Sequence, residues 1–278
     1  MNSIFAGKTV IITGASAGVG AACARAFAAQ NAKLVLCARG RAGLDAIAKE
    51  LRSTCEVITS VMDVADTSQC LKLLKEAETK FGAVHVVVNN AGMHTRGDLE
   101  TVDPGDVAAM VDINLRAPMV LSCAAIPFLH RAGSGAIVNI GSLAGRAPLQ
   151  GAATYSGTKA GLRAFSYALA DELKDAGINV GVVSPGPIDT GFIMDEIDKV
   201  EDIVFSQPMS SAEQVADAVI SIAAGEQVEI SLPAASGKLT TLSYLFPKLR
   251  RRLRPKLYAQ GRKNKEKYRN RQSLEEAS

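Results

Sequence analysis

Short apolar runs alternate with longer Ala- and Leu-rich stretches along most of the chain. Most of the short runs are apolar throughout, which is typical of strands buried on both faces of a parallel sheet. The pattern predicts seven strands, at residues 9–12, 34–37, 56–62, 84–88, 136–140, 179–183 and 228–232. It predicts helices near residues 18–29, 41–52, 67–80, 104–130, 151–175 and 212–224.

This alternation predicts right-handed β-α-β crossovers, because successive parallel strands must be joined by a crossing segment. We expect an α/β fold with a doubly wound parallel sheet of about seven strands, in three layers (α/β/α). After Pro233 the pattern changes and the chain becomes densely basic. We therefore divide it into one domain, residues 1–235, and a basic C-terminal extension, residues 236–278, partly helical or disordered.

Charge is unevenly distributed along the 278 residues. The formal charge is +3, yet residues 248–271 hold twelve Lys and Arg against one Glu, and residues 1–247 sum to −6. A mildly acidic body with 5% aromatic residues and no Trp argues against nucleic acid as a partner. Five cysteines without CxxC spacing suggest buried thiols in a reducing compartment. No apolar run approaches the length of a membrane span, and no signal peptide precedes the first strand, so we expect a cytoplasmic protein.

The basic extension allows three interpretations. It is a solvated, partly disordered tail, a nucleic-acid-binding tail, or an amphipathic anchor on an anionic membrane surface through residues 242–271. For the anchor, the apolar stripe would consist of Leu242, Leu245, Phe246, Leu249 and Leu253. Of the three, the membrane surface is the partner that we carry forward.

A glycine-rich turn, TGASAGVG at residues 13–20, separates the first strand from the first helix. In this position Gly14 permits a tight turn, while Gly18 and Gly20 permit close approach of a cofactor and the helix. The helix N-terminus offers unpaired N–H groups to a pyrophosphate. We predict a dinucleotide site that includes Ser16 and Val19; the alternative is a merely structural turn.

The ends of the next two strands are expected to contact the adenosine. A carboxylate after the second strand would bind the ribose of NAD, but this chain has Arg39 there, with Arg41 nearby. A guanidinium suits a 2′-phosphate, so NADP(H) is the predicted cofactor. After the third strand, Asp63 would bind the adenine amine with Val64 beside the ring; the alternative for Asp63 is a helix N-cap.

Tyr155 and Lys159 are four residues apart, which places them on one helical face. A free tyrosine has a pKa of about 10, and a neighbouring ammonium would lower it enough for proton transfer at neutral pH. Ser142, after the fifth strand, can hydrogen-bond the same substrate oxygen. Asn114, within a predicted helix, can divert a backbone carbonyl toward a water and support a proton relay.

These motifs together resemble the short-chain dehydrogenase/reductase family, in its compact single-domain branch. The resemblance covers residues 6–232 and rests on TGASAGVG, NNAG at 89–92, Asn114, Ser142, Tyr155, Lys159 and PGPIDT at 185–190. It implies a Rossmann-type sheet and a catalytic tetrad of Asn114, Ser142, Tyr155 and Lys159. The cofactor residues that it implies are Asn90, Ala91, Gly92, Tyr155, Lys159, Pro185, Gly186, Ile188 and Thr190.

The resemblance implies an NADPH-dependent oxidoreductase that reduces a ketone or aldehyde to an alcohol, with Tyr155 as proton donor. Residues 191–210 would form a lid whose apolar side chains suit an apolar or lipid-like carbonyl compound, unless they simply pack onto the body. His94 and Arg96 would border the pocket or be ordinary loop residues. We predict no metal site. The alternatives are a non-catalytic NADP-binding regulator or membrane-associated scaffold, and a nucleotide-sugar epimerase.

Two departures from the family pattern matter. Ala17 stands where many NADP-preferring relatives have a basic residue, so cofactor preference rests on Arg39 and Arg41. The Gly-rich ending typical of soluble tetramers is absent after the seventh strand. We therefore expect a homo-oligomer, either a dimer or a tetramer, and leave a membrane-bound form open.

Overall fold

The structure is a computed structural model that describes the backbone of residues 3–276 and the side chains of residues 3–271. Its seven strands are β1 (Thr9–Thr13), β2 (Lys33–Ala38), β3 (Val57–Val61), β4 (Val86–Asn89), β5 (Gly135–Ile140), β6 (Ile178–Pro185) and β7 (Glu229–Leu232). They form one parallel sheet in the order β3-β2-β1-β4-β5-β6-β7. The chain reverses direction across the sheet between β1 and β4, and ligands of such folds bind at this switch point, beyond the carboxyl ends of the strands.

The helices are α1 (Gly18–Ala28), α2 (Arg41–Leu51), α3 (Thr67–Phe81), α4 (Pro104–Val111), α5 (Ala117–Arg131), α6 (Ala153–Leu173), α7 (Gly191–Met194), α8 (Ala212–Ala223), α9 (Ala234–Leu245) and α10 (Pro247–Glu276). The predicted helix 104–130 is divided by a π-helical turn, Asp112–Arg116. Short 3-10 turns add Leu99–Thr101, Leu143–Gly145, Lys174–Ala176, Ile197–Lys199 and Asp202–Ser206.

Alternate side chains of each central strand enter two different cores. Val10 and Ile12 of β1 pack with α1, α2 and α8, whereas Ile11 packs with α3, α5 and α6 on the opposite face. All three side chains are fully buried. Strands that are apolar throughout are therefore required by burial on both faces, and the predicted three-layer α/β fold is confirmed.

One helical segment among the described residues, Pro104–Arg131, is long and apolar enough to cross a membrane. This segment corrects the prediction that no apolar run approaches the length of a membrane span. Within this segment, Leu121 and Leu129 are buried in the core beneath the sheet. A core helix of this kind passes the same length and hydropathy test as a membrane span.

The described part of the C-terminal extension is helical except at Phe246, the residue between α9 and α10. It begins with α9 at Ala234, so the predicted boundary between residues 235 and 236 falls inside this helix. α9 packs against β7 and the 3-10 turn Leu143–Gly145, and α10 packs against the 3-10 turn Asp202–Ser206. The extension is thus attached to the side of the domain where the predicted lid lies.

Candidate active site

The turn between β1 and α1 brings backbone atoms unusually close together. Gly14 has a φ of +65°, and a Cβ there would lie 2.9 Å from Ala91 Cα. A Cβ on Gly20 would overlap the carbonyl oxygen of Gly14. α1 begins at Gly18 with no acidic residue in its first turn and no side-chain cap. This cradle fits the pyrophosphate that the sequence predicts here.

Thr13 ties this turn to the NNAG segment. Its hydroxyl oxygen accepts hydrogen bonds from the backbone N–H groups of Asn90 (2.9 Å) and Ala91 (3.0 Å). Asn90 Nδ2 donates to the carbonyl oxygens of Thr13 (2.8 Å) and Gly14 (3.1 Å). Sequence reasoning missed Thr13, although a hydroxyl residue directly before the first glycine of the turn was a usable signal.

A buried polar network supports the sheet beneath the site. Asn89 Nδ2 donates to Ser122 Oγ (3.1 Å) and to Asn139 Oδ1 (2.8 Å), and Asn139 Nδ2 donates to Ser166 Oγ (2.9 Å). These groups join β4 and β5 to the helices below them. Satisfied buried networks of this kind hold neighbouring elements in one arrangement, so the first residue of NNAG supports the sheet.

The predicted adenosine contacts lie at the ends of β2 and β3. Arg39 and Arg41 are exposed, and neither pairs with a carboxylate in the described part of the chain. Asp63 accepts a hydrogen bond from the backbone N–H two residues further on (2.9 Å), with half-buried Val64 between them. The alternative of Asp63 as the cap of α3 is wrong, because Asp66 occupies that position and accepts from the first turn.

The PGPIDT segment closes over the glycine turn. β6 ends at Pro185, Gly186 follows directly, and Ile188 packs on the core. Thr190 precedes α7, and its Cβ lies 3.6 Å from the place that a Cβ on Gly18 would occupy. The structure thus brings this predicted cofactor segment to the turn that it was expected to adjoin.

Asn114 lies in the π turn and is fully buried. Its Oδ1 accepts from the backbone N–H of Met93 (2.9 Å), and its Nδ2 donates to the Met93 carbonyl (2.8 Å). A Cβ on Gly92 would lie 3.2 Å from the same Oδ1. The π turn changes the helical hydrogen-bond register at Asn114, which we predicted to lie inside a continuous helix and to divert a backbone carbonyl. The Asn114 side chain fixes the segment after NNAG.

Ser142, Tyr155 and Lys159 meet at the carboxyl edge of β5. Lys159 is buried, its Nζ donates to the Ile140 carbonyl (2.7 Å), and it lies 5.8 Å from the Tyr155 ring centroid. Ser142 caps the 3-10 turn by accepting from the backbone N–H of Ala144 (3.1 Å). Ser142 therefore caps this turn and also lies within hydrogen-bonding reach of Tyr155.

The direction of the Tyr155 pKa shift in this cluster differs from the one that we predicted from the sequence. Burial raises the pKa of Tyr155 above its ordinary value, while hydrogen bonding by Ser142 and the charge of Arg96 oppose that rise. Burial also lowers the pKa of Lys159 to about 8. The prediction that Lys159 would lower the tyrosine pKa is not met, because burial outweighs the neighbouring charges and Arg96 is the cation that acts on the phenol.

His94 and Arg96 form a wall beside Tyr155. The His94 ring stacks on the Tyr155 ring, with centroids 4.2 Å apart and planes 13° from parallel. Arg96 Nη1 lies 2.9 Å from His94 Nδ1, Nη2 donates to the Phe192 carbonyl (2.8 Å), and Nε lies 3.4 Å from Glu196 Oε2. Burial and the Arg96 charge lower the pKa of His94 to about 3, so the ring is neutral. Arg96 thereby connects Tyr155 to the lid.

The predicted lid, residues 191–210, has a small core of its own. Ile193, Ile197, Val200 and Phe205 are buried together, and Tyr268 of α10 packs against them. Most of the apolar lid residues therefore face each other rather than an open pocket. Phe192 is the exception, with 46% of its surface exposed.

Residues 257–271 of α10, which we call the distal segment, lie on this lid. Lys265 is buried and its Nζ donates to the Val200 carbonyl (2.6 Å). A Cβ on Gly261 would overlap the Asp202 carbonyl oxygen. The remaining pairs are Arg262 with Asp202, Arg269 with Asp198, Arg271 with Asp189 and Tyr258 with Glu201. The distal segment belongs to the predicted membrane-facing stretch, residues 242–271. Its contacts show that it packs on the body of the protein instead.

A family model described as short chain dehydrogenase matches residues 8–201, from β1 into the lid. This chain belongs to the short-chain dehydrogenase/reductase family. The predicted membership is thus confirmed, and with it an oxidoreductase from a family that uses nicotinamide cofactors. The C-terminal extension lies outside the match.

Several similar proteins have names that state an oxidoreductase activity. Ketoacyl reductase HetN of Nostoc sp. is 36% identical over 191 residues, which cover 68% of this chain and 67% of that protein. An NADP-dependent 3-hydroxy acid dehydrogenase of Schizosaccharomyces pombe is 34% identical over 190 residues, which cover 67% and 73%. The crystal structure of levodione reductase matches with a TM-score of 0.77 and 24% identity, covering 84% of this chain and 99% of that one. This last likeness shows the Rossmann-type fold.

Proposed function

We propose that this short-chain dehydrogenase/reductase uses NADPH to reduce a ketone or aldehyde, of apolar or lipid-like character, to an alcohol. The observation that carries the proposal is the position of Tyr155, stacked on His94 and held beside Ser142 and Lys159. This cluster and the glycine turn both lie at the carboxyl edge of the sheet. A dinucleotide bound in the turn would therefore lie next to a substrate carbonyl at Tyr155.

NADPH, when bound, supplies hydride to the carbonyl carbon. Ser142 and Tyr155 would hold the carbonyl oxygen of the substrate between their hydroxyls. The Tyr155 phenol would transfer its proton to that oxygen. The raised pKa of Tyr155 keeps the phenol protonated at neutral pH. The phenolate that remains would be stabilised by the Ser142 hydrogen bond and the charge of Arg96, the two contacts that oppose the raised pKa of Tyr155. Lys159, buried beside the Tyr155 ring, would take part in returning the proton. The segment fixed by Asn114 would hold the water that returns the proton.

The preference for NADPH is supported by Arg39. This guanidinium is exposed at the end of β2, where no carboxylate stands to accept the ribose hydroxyls of NADH. An arginine at this position offers paired donors to a 2′-phosphate. The similar 3-hydroxy acid dehydrogenase is NADP-dependent by name.

The apolar substrate is supported by the exposed Phe192 on the lid and by the name of the similar ketoacyl reductase. The test is NADPH oxidation by the purified full chain with aldehydes, ketones and 3-ketoacyl esters of increasing chain length. We expect turnover that increases with chain length and is faster with NADPH than with NADH. NADPH binding without turnover of any carbonyl compound would identify a regulator instead, and turnover of a nucleotide sugar would identify an epimerase.

We propose a cytoplasmic homo-oligomer, either a dimer or a tetramer. All five cysteines are free, although Cys123 is exposed and Cys55 is only half-buried. Free thiols persist in a reducing compartment, which supports the location. Light scattering on the purified chain would give the number of subunits.

A further inference from the structure

The first part of the C-terminal extension, residues 238–256, exposes a concentration of apolar side chains; we call it the proximal segment. Seven large apolar residues here are each 46–65% exposed: Leu239, Leu242, Tyr244, Leu245, Phe246, Leu249 and Leu253. The other large exposed apolar residues that the structure describes are scattered over the remaining chain. Exposed apolar side chains that are clustered in this way mark a surface that binds a partner molecule or a membrane.

The charges of the proximal segment are all positive. It carries Lys238, Lys248, Arg250, Arg251, Arg252, Arg254 and Lys256, and no Asp or Glu. None of these cations pairs with a carboxylate among the described residues. The distal segment is also basic, but Arg262 and Lys265 pair there with Asp202 of the body. The two segments therefore differ in whether their positive charge is already balanced.

The helix geometry places the charges beside the apolar residues. Leu249 and Leu253 lie one turn apart on α10, with Arg252 on one flank of this stripe and Arg250 on the other. Long cationic side chains on both flanks of an apolar stripe can reach headgroups while the stripe enters the acyl boundary. This is the arrangement of a helix that lies in a bilayer interface.

The composition of this surface indicates which kind of partner could cover it. A second copy docked face to face would bring the two sets of unpaired cations together, and like charges repel. A nucleic acid would leave the apolar side chains in water. We propose that the proximal segment docks on the surface of an anionic lipid bilayer, where both the apolar residues and the cations are satisfied. This docking does not depend on the proposed reaction.

The docking surface is attached to the rim of the active site. Arg146 Nη2 donates to Thr241 Oγ1 of α9 at 2.6 Å, and Arg254 of α10 contacts Gln150. Both Arg146 and Gln150 lie in the segment that connects Ser142 to Tyr155. Docking would therefore hold this segment beside the bilayer, where a membrane-dissolved carbonyl compound is available; this consequence rests on the proposed function.

The test is co-sedimentation of the full chain, without substrate or cofactor, with phosphatidylcholine vesicles that contain or lack phosphatidylglycerol. The charge variant is Arg251→Glu with Arg252→Glu, and the apolar variant is Leu245→Gln with Phe246→Gln. The matched control is Lys263→Glu with Lys267→Glu, which makes the same charge change at two exposed positions of the distal segment. Thermal melting of each variant checks the fold, because substitutions at exposed positions have small effects on stability.

We expect binding to the anionic vesicles and not to the neutral ones. The charge variant should lose at least about tenfold in partitioning, since each cation near such a surface contributes about fivefold. The apolar variant should lose about tenfold or more, and the control less than about threefold. Equal losses in control and charge variant, an unaffected apolar variant, or no binding by the parent chain would each overturn the proposal. So would light scattering that shows the apolar variant, but not the parent, as a monomer.

Discussion

The cofactor side and the substrate side of this site are held together by different interactions. On the cofactor side, Gly14 and Gly20 bring backbone segments into direct contact, and the Thr13 hydroxyl accepts from backbone N–H groups of the NNAG segment. On the substrate side, the side chain of Arg96 donates to a lid carbonyl, and Lys265 of α10 does the same from the far end of the chain. The first side thus depends on close approach of the backbone, and the second on long side chains.

The difference separates what the fold requires from what can vary. Backbone contacts between buried strands leave little freedom, because any Cβ at Gly14 or Gly20 meets another backbone. The side chains of Arg96 and Lys265 contact lid carbonyls outside the strands, so they can be replaced without loss of the sheet. We therefore expect changes on the cofactor side to affect all substrates alike, and changes on the substrate side to alter affinity for the carbonyl compound.

The largest effect should come from Tyr155→Phe, at the junction of the two sides. Because this change removes the proton donor while leaving the ring stacked on His94, kcat for carbonyl reduction should fall by about 10²–10⁴-fold. Affinity for NADPH, measured by fluorescence titration, should change less than about threefold. Undiminished turnover by this variant would contradict the assignment of Tyr155.

Next in size is Arg39→Asp on the cofactor side. Loss of a charge-assisted contact to the 2′-phosphate should raise KM for NADPH by about 10–100-fold, while KM for NADH stays level or falls. The control is Arg52→Asp, an exposed arginine just beyond α2 that makes the same charge change away from the site. If both variants behave alike, Arg39 does not read the phosphate.

A smaller effect should follow from Arg96→Gln on the substrate side. Arg96 opposes the raised pKa of Tyr155, so its removal should raise that pKa further. Alcohol oxidation needs the deprotonated tyrosine, and its pH profile should move to higher pH, with about tenfold lower rate at a fixed pH for each unit of movement. Reduction near neutral pH needs the protonated phenol and should keep its pH dependence.

Glu196→Gln serves as the control for Arg96→Gln. It removes the carboxylate that faces Arg96 but leaves the guanidinium beside Tyr155. The oxidation profile of this variant should not move to higher pH. An equal upward shift in both variants would mean that the lid contact, rather than the Arg96 charge, controls the phenol.

The smallest effect should come from Lys265→Met in the distal segment. The variant leaves the carbonyl of Val200 without its donor, which should loosen the lid and raise KM for the carbonyl compound by about three- to tenfold. Affinity for NADPH should stay the same. Lys263→Met, an exposed change on the same helix, is the control. A lower melting temperature with unchanged KM would make α10 a structural brace only.

Motifs with fixed spacing were predictable because their physics is local. The glycine turn follows from residues 13–20 alone, and Tyr155 and Lys159 share a helical face at a spacing of four. Thr13 was not recognised, and Arg96 was predicted only to border the pocket or be an ordinary loop residue, because their partners, Asn90 and Phe192, are distant in sequence. The π turn at Asn114 was not predicted, because Asn114 was placed inside one continuous helix and the hydrogen-bond register of a helix depends on what it packs against.

The sequence alone predicted the family, the order of strands and helices along the chain, and the residues of the candidate catalytic cluster. Apolar periodicity and short motifs encode these features over a few residues each. Only the tertiary structure decided that burial outweighs charge at Tyr155, that the apolar lid residues face each other, and that the distal segment packs on the lid while the proximal segment is exposed. Its +11 charge is a sum over residues 248–271. Whether each cation lies against a carboxylate or against solvent depends on which surfaces the fold brings together.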